Sequence, residues 1–226
     1  MSDYLINGVN VEAVDAVAIN THSSIRIQGE RVVYIDPLEI RRVYHDADIV
    51  LITHDHYDHF SPEDVQKVSS QKTFLVVPEK MRSMAEQAGI AQEHILTVRP
   101  GEKLEVCGVP IEAVAAYNNL KPFHPKRNKW VGYIIFMNGC RYYIAGDTDA
   151  NADNKKVSCD IALVPVGGTY TMNASDAAKF INLISPKIAI PTHYGSIVGK
   201  MEDGQTFANG VKPPVKVILK LTNQDS

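Results

Sequence analysis

The segment Thr53-His54-Asp55-His56-Tyr57-Asp58-His59 constrains this chain more than any other. It follows directly on Asp48 to Thr53 (DIVLIT), a short, almost uninterrupted apolar run, as expected of a strand covered on both faces. Behind it stands Ser61-Pro62-Glu63-Asp64. Ser61 suits an N-cap, Pro62 the first helical position, and Asp64 completes a capping-box pattern, so a short helix should run to about Val68. His54, His56, Asp58 and His59 therefore fall in one strand-to-helix loop. In extended backbone His54 and His56 point to one face, while Asp58 and His59 approach from the turn. Four such groups at a strand end need partners, and divalent metals are the natural ones. Asp55 either orients an imidazole from outside the ligand set or is exposed, and Tyr57 faces either the cleft or solvent.

Elsewhere the pattern alternates strands and helices. Val14 to Ile19, Ser24 to Gln28 and Arg31 to Ile35 read as strands, the last two joined by a tight hairpin at Gly29-Glu30, and Asp36-Pro37 ends the third. Thr73 to Val77 is a further strand. Met81, Met84, Ala85 and Ala88 mark a helix with Gly89 placed to cap it. Lys103 to Val106, Ile111 to Ala116, Gly132 to Met137 and Tyr142 to Ala145 are strands, with a hairpin signal at Asn138-Gly139. Ile161 to Val166 is an apolar strand. Asn173 caps a helix whose stripe is Ala174, Ala177, Ala178, Ile181 and Ile184, and Ser185-Pro186 stops it. Ile188 to Ile190 and Val215 to Leu219 complete the list. The pattern alone gives a mixed α/β domain, sheets covered by helices, without the strand order.

The 226 residues hold no linker-like stretch or repeat, so one domain over 1–226 is the simpler reading. Net charge is −3 with no block of like charge, so no large nucleic-acid partner is expected. No apolar run is long enough for a membrane span, and no signal peptide is evident. Cys107, Cys140 and Cys159 are widely spaced and form no CxxC, which reads as reduced thiols in a cytoplasmic protein. Oligomeric state is not readable.

Thr53 to His59 resembles the signature of the metallo-β-lactamase superfamily, and the match extends over most of the chain. Gly146-Asp147-Thr148-Asp149, after the Tyr142 strand, looks like the segment supplying a metal-bridging aspartate. Pro191-Thr192-His193-Tyr194, after the Ile188 strand, looks like the last metal-histidine segment. Asn20-Thr21-His22-Ser23-Ser24, Ile35-Asp36-Pro37 and Val164 to Met172 are similar to a branch of metal-dependent hydrolases related to L-ascorbate-6-phosphate lactonase. The resemblance implies an αβ/βα sandwich with a two-metal site at one edge of the sheets. It implies His54, His56 and a third histidine on one ion, Asp58, His59 and His193 on the other, and Asp147 as the bridge. His124 has the right position between strands to be the third histidine, and His22 is its competitor. His94 and His45 read as surface residues.

Two such ions, ~3.5–4 Å apart, would lower the pKa of a shared water toward ~7, and the resulting hydroxide would attack a carbonyl or phosphorus. Asp58 and Asp147 are thereby the catalytic carboxylates. Imidazole-rich ligation favours Zn²⁺, with Mn²⁺ or Fe²⁺ also permitted. In flavodiiron relatives an acidic residue takes the place of His56, so hydrolysis is the expected chemistry here. The substrate expected is a small ester, lactone or phosphoester. Lys121, Lys126, Arg127 and Lys129 around His124 either favour an anionic one or form a solvated basic loop. Tyr117, Asn118, Tyr170 and Tyr194 are candidate cleft donors or packed residues, and Trp130 reads as packing. A phosphodiesterase or nuclease, and a non-catalytic metal-binding protein, are the alternative functions.

Overall fold

The structure is a computed structural model and describes residues 5–221. A two-stranded ribbon, β1 (Leu5–Ile6) and β2 (Val9–Asn10), leads into α1 (Val11–Asp15). The first sheet has the order β3 (Val17–Ile19), β4 (Ile25–Gln28), β5 (Val32–Ile35), β6 (Ala47–Leu51), β7 (Ser69–Pro78) and β8 (Ile95–Val98). The second sheet runs from β9 (Lys103–Val106) through β10 (Val109–Ala115), β11 (Val131–Met137), β12 (Cys140–Ile144), β13 (Ile161–Pro165) and β14 (Ile188–Thr192) to β15 (Lys216–Val217). Each sheet is antiparallel in its first half and parallel in its second, from β5 to β8 and from β12 to β15.

The two sheets face each other across the main core. Ile49 and Leu51 of β6 share it with Val131, Tyr133, Leu163 and Ile190 of the second sheet. Val50 and Ile52 point the other way, into a layer built with Val65 and Val68 of α2 (Pro62–Val68) and Ala85 of α3 (Arg82–Ala85). Alternation with period two thus puts both faces of β6 in apolar surroundings, which is why DIVLIT carries no polar face. On the far side, α4 (Ala174–Ile184) and α5 (Glu202–Gly210) bury Ala177, Phe180, Ile181 and Phe207 against Ala162, Val164 and Ala189. Helices, sheet, sheet and helices make the four layers of an αβ/βα sandwich, as expected.

Local signals hold where one side chain decides the geometry. Ser61 accepts from Asp64 N (3.2 Å) and Asn173 from Asp176 N (2.9 Å), capping α2 and α4. Asn138 and Gly139 both take positive φ in the β11–β12 turn. The Asp64 carboxylate does not reach back to its cap; it accepts from Glu39 N (2.9 Å) and Ile40 N (3.1 Å) and anchors the loop after β5. Val14 to Ile19 is not one strand. Its first part belongs to α1, where Asn10 accepts from Glu12 N and Ala13 and Val14 are buried, and only Val17–Ile19 pairs. The Met81–Ala88 segment is broken into 3₁₀, α and 3₁₀ turns before Gly89 closes it at φ 70°. β8 begins at Ile95, where the strand-rich stretch is expected to start, α5 has no counterpart in the sequence pattern, and the last strand is shorter than its apolar run.

Candidate metal centre

Chain direction assembles the site. In both sheets the parallel strands end at one edge, and the residues just past those ends are Asp36 after β5, His54 to His59 after β6, Asp147 after β12 and His193 after β14. The edges are tied together across the core: Tyr133 Oη donates to Ile52 O (2.7 Å) and Val131 N to Thr53 O (3.2 Å). His22 arrives from the β3–β4 loop and His124 from the β10–β11 loop.

Asp147 lies at the middle. Its Oδ2 is 3.1 Å from His193 Nε2 and 3.3 Å from His124 Nε2, and its Oδ1 is 3.2 Å from His59 Nε2. On one side His54, His56 and His124 offer ligand atoms within 4.8 Å of one another. On the other side His22, Asp58, His59 and His193 do the same, as do His54, His59 and Asp147 between them. His59 Nε2, His124 Nε2, Asp147 Oδ1 and both ring nitrogens of His193 are buried with no hydrogen-bond partner. Stranding a buried polar atom costs about 1–3 kcal/mol, and here several point at one place. Imidazole nitrogens around carboxylate oxygens are the donor set that divalent cations such as Zn²⁺ take, so the residues fit metal.

The imidazoles are held by groups behind them. Asp36 Oδ2 accepts from His59 Nδ1 (2.7 Å) and from Thr53 Oγ1 (2.7 Å), while its Oδ1 accepts from Thr53 N (2.8 Å). With its proton committed to Asp36, the Thr53 hydroxyl can only accept from His54 Nδ1 (2.9 Å). Both contacts leave Nε2 as the free lone pair of His54 and His59. Asn118 Oδ1 accepts from His124 N (3.0 Å) and Nδ1 (3.1 Å), which frees His124 Nε2 in the same way. Trp130 packs its ring on His54, His56 and His124 at 4.8–5.4 Å between centroids.

Charge is balanced within the cluster. Burial opposes ionisation of Asp147, but the imidazoles of His193 and His59 outweigh it and hold the carboxyl well below its usual range. Burial likewise opposes charge on Asp58, and the nearby imidazoles of His193 and His22 bring its carboxyl down, His22 through a hydrogen bond. His59 and His193 resist protonation through burial, yet Asp147 and its neighbours lift both. Burial lowers His54 and His56, and lowers His22 to about 4. Two carboxylates thus stay ionised against two protonatable imidazoles, and a bound cation would replace the protons of those imidazoles.

The backbone is strained where the site is built. His22 (φ 51°), Asp36 (φ 46°) and His193 (φ 60°) all adopt left-handed conformations, at a cost of order 1–3 kcal/mol each. His193 N donates to His22 O (2.9 Å), locking two of these loops together. Gly146 precedes Asp147 at φ 63°, and a Cβ there would lie 3.1 Å from Thr53 Cβ and from Val131 O. Only glycine lets Asp147 follow so closely on the sheet edge.

The structure brings all seven ligands expected from the sequence, His54, His56, Asp58, His59, His124, Asp147 and His193, to this place. His124, not His22, joins His54 and His56, and His22 sits with the Asp58 group, its Nε2 3.1 Å from Asp58 Oδ2. His94 packs on Phe74 at 4.5 Å, and His45 is exposed and bonded to Ser69 O. Asp55 and Tyr57 are exposed. Asn118 serves the centre through His124, and Tyr170 touches His124 only through its carbonyl (3.2 Å). Tyr117 turns its hydroxyl to Asp153 (3.0 Å), and Tyr194 is buried against Gly204 under α5. In the basic loop, Lys121 pairs with Asp149 (2.9 Å) and Lys126 with Asp153 (3.0 Å), while Arg127 and Lys129 are exposed. Sequence reasoning read Asp36 as a strand terminator and gave Thr53 no role. Two signals bear on Asp36 in the sequence: the resemblance of Ile35-Asp36-Pro37 to the hydrolase branch, and a buried-type strand ending in a carboxylate ahead of a second strand ending in a histidine cluster.

Residues 16–193 match a family model described as a beta-lactamase superfamily domain. The chain is 29% identical over 200 residues to a UPF0173 metal-dependent hydrolase of Thermoplasma volcanium, covering 83% of this chain and 87% of that one. It is 30% identical over 192 residues to a UPF0173 metal-dependent hydrolase of Thermoplasma acidophilum, covering 77% and 81%. A crystal structure of a metal-dependent hydrolase from Parabacteroides distasonis superposes with a TM-score of 0.77 at 29% identity, over 91% of this chain and 93% of that one.

Proposed function

The chain belongs to the metallo-β-lactamase superfamily and is a metal-dependent hydrolase, and on that premise we propose that it holds two divalent cations and cleaves a small ester, lactone or phosphoester. His54, His56 and His124 would hold one cation and Asp58, His59 and His193 the other, with Asp147 placed to reach both. Zn²⁺ is the favoured ion, with Mn²⁺ or Fe²⁺ permitted by the carboxylates. Cations so placed acidify water and polarise a substrate oxygen.

The chain's own part is to keep that arrangement fixed. Asp36 and Thr53 set the tautomers of His59 and His54, and Asn118 sets that of His124. Asp58 and Asp147 stay ionised at neutral pH, so they act as ligands and acceptors and not as acids. No cysteine competes as nucleophile: burial pushes Cys107 and Cys140 up, and Cys159 up to about 12, which keeps them thiols. Residues 1–226 act as a single domain, and the free thiols suit a cytoplasmic setting. Among the described residues no helix is long and apolar enough to cross a membrane.

The observation that carries this reading is the set of buried, partnerless imidazole and carboxylate atoms aimed at one point. Metal is counted after purification with Zn²⁺ or Mn²⁺, and panels of lactones, esters, phosphodiesters and RNA are assayed. Two ions per chain and turnover of a lactone or ester are expected. Full occupancy with no turnover on any panel would contradict hydrolysis of small substrates.

A further inference from the structure

Five of the exposed large apolar side chains stand in or beside the loops that build the metal centre. Tyr57 (75% exposed) stands between His56 and Asp58, and Phe123 (40%) precedes His124. Leu120 (98%) shares the His124 loop, and Ile197 (37%) follows His193 by four positions. Tyr170 (38%) is bonded through its carbonyl to His124, and its ring meets Phe123 edge-to-face at 4.7 Å. Single exposed hydrophobes are ordinary, but several of them beside one cluster of ligand-type side chains, two in ring contact, mark a surface that something apolar covers. Two of the four cations of the His124 loop, Lys121 and Lys126, face the carboxylates of Asp149 and Asp153, which leaves Arg127 and Lys129 as its exposed positive charges.

We propose that Phe123 and Tyr170, with Tyr57 and Ile197, form an apolar collar at the mouth of the metal centre, and that the substrate is an ester or lactone carrying an alkyl or aryl group next to the bond that is cleaved. This rests on the metal-centre reading above. The polar end of such a substrate meets the cations, while its apolar body lies on the Phe123–Tyr170 pair. The collar is held to the chemistry by short links: Asn118 joins both residues' loops, accepting from His124 Nδ1 (3.1 Å) and donating to Tyr170 O (2.9 Å). An apolar body on the collar therefore presses on the loops that orient His124. Binding energy from this remote part of the substrate is then available to position the reacting bond.

The test measures binding of alkyl and aryl hydroxamates to the metal-loaded protein by calorimetry, so it does not depend on turnover. The hydroxamate end chelates metal, and only the tail varies, from aceto- to butano-, hexano- and benzohydroxamate. A half-covered tail should tighten Kd about twofold per methylene, or roughly ten- to twentyfold from aceto- to hexanohydroxamate. Phe123→Ala and Tyr170→Ala should each remove most of that gain while leaving acetohydroxamate affinity and metal content unchanged. Phe136→Ala, an exposed residue on β11 (48% exposed), is the control and should change nothing. A flat series with normal acetohydroxamate binding would overturn the collar alone. A gain that survives both collar variants would also overturn it, since the tail would then lie elsewhere. Failure of acetohydroxamate itself to bind would overturn the metal centre and the collar together.

Discussion

Asp36→Asn isolates the contribution of a residue that is expected to touch no metal. Its carboxylate accepts three hydrogen bonds in a fully buried setting, from Thr53 N, Thr53 Oγ1 and His59 Nδ1. Asparagine is nearly isosteric and tolerates φ 46°. Its oxygen can keep the Thr53 N contact, but its amide then faces His59 Nδ1 with a donor. His59 must move its proton to Nε2, the atom that faces Asp147 at 3.2 Å. Metal affinity of the Asp58–His59–His193 group should fall 10- to 100-fold, about 1.4–2.7 kcal/mol, while the His54–His56–His124 group changes less. Chelator competition followed by metal analysis reads both steps, and circular dichroism confirms the fold. Asp36→Ala should behave worse, because it strands three donors at about 1–3 kcal/mol each. If Asp36→Asn binds both ions with wild-type affinity, the tautomer argument is wrong.

His124→Ala should reduce metal toward one ion per chain, and His94→Ala should leave it unchanged, as read by metal analysis of the purified variants. Gly146→Ala forces an L-residue to φ 63° against Thr53 and Val131, so a loss of about 1–3 kcal/mol in urea unfolding is expected, with weaker metal binding through the displaced Asp147. Stripping the metal with a chelator should lower Tm by roughly 10–20 °C for two ions each held at a hundredfold excess over Kd; an unchanged scanning-calorimetry Tm would speak against a centre built into the folded state.

Much of the candidate site was legible because its ligand-type residues come in runs beside strands. DIVLIT followed by His54 to His59 carries its own context, and Gly146-Asp147 and Pro191-Thr192-His193 each follow an apolar strand. Asp36 could not be read this way: its role depends on β5 lying beside β6, a pairing that periodicity does not encode. The choice between His124 and His22 depended on which side of Asp147 each loop reaches, which is again a matter of topology. In the fold, caps and hairpins set by one side chain were clear. α1 was hidden because Val14, Val17 and Ile19 make the Val14–Ile19 stretch favour strand locally, and α5 because Gly204 and Gly210 dilute its helical pattern while Phe207 alone anchors it.

On the proposed reading, one edge of two sheets gathers a pair of cations around Asp147. Anomalous diffraction from crystals loaded with Zn²⁺ tests it most directly. Two peaks ~3.5–4 Å apart, one beside His54, His56 and His124 and one beside Asp58, His59 and His193 with Asp147 reaching both, are expected. A lone peak at full loading, or peaks away from Asp147, would contradict it.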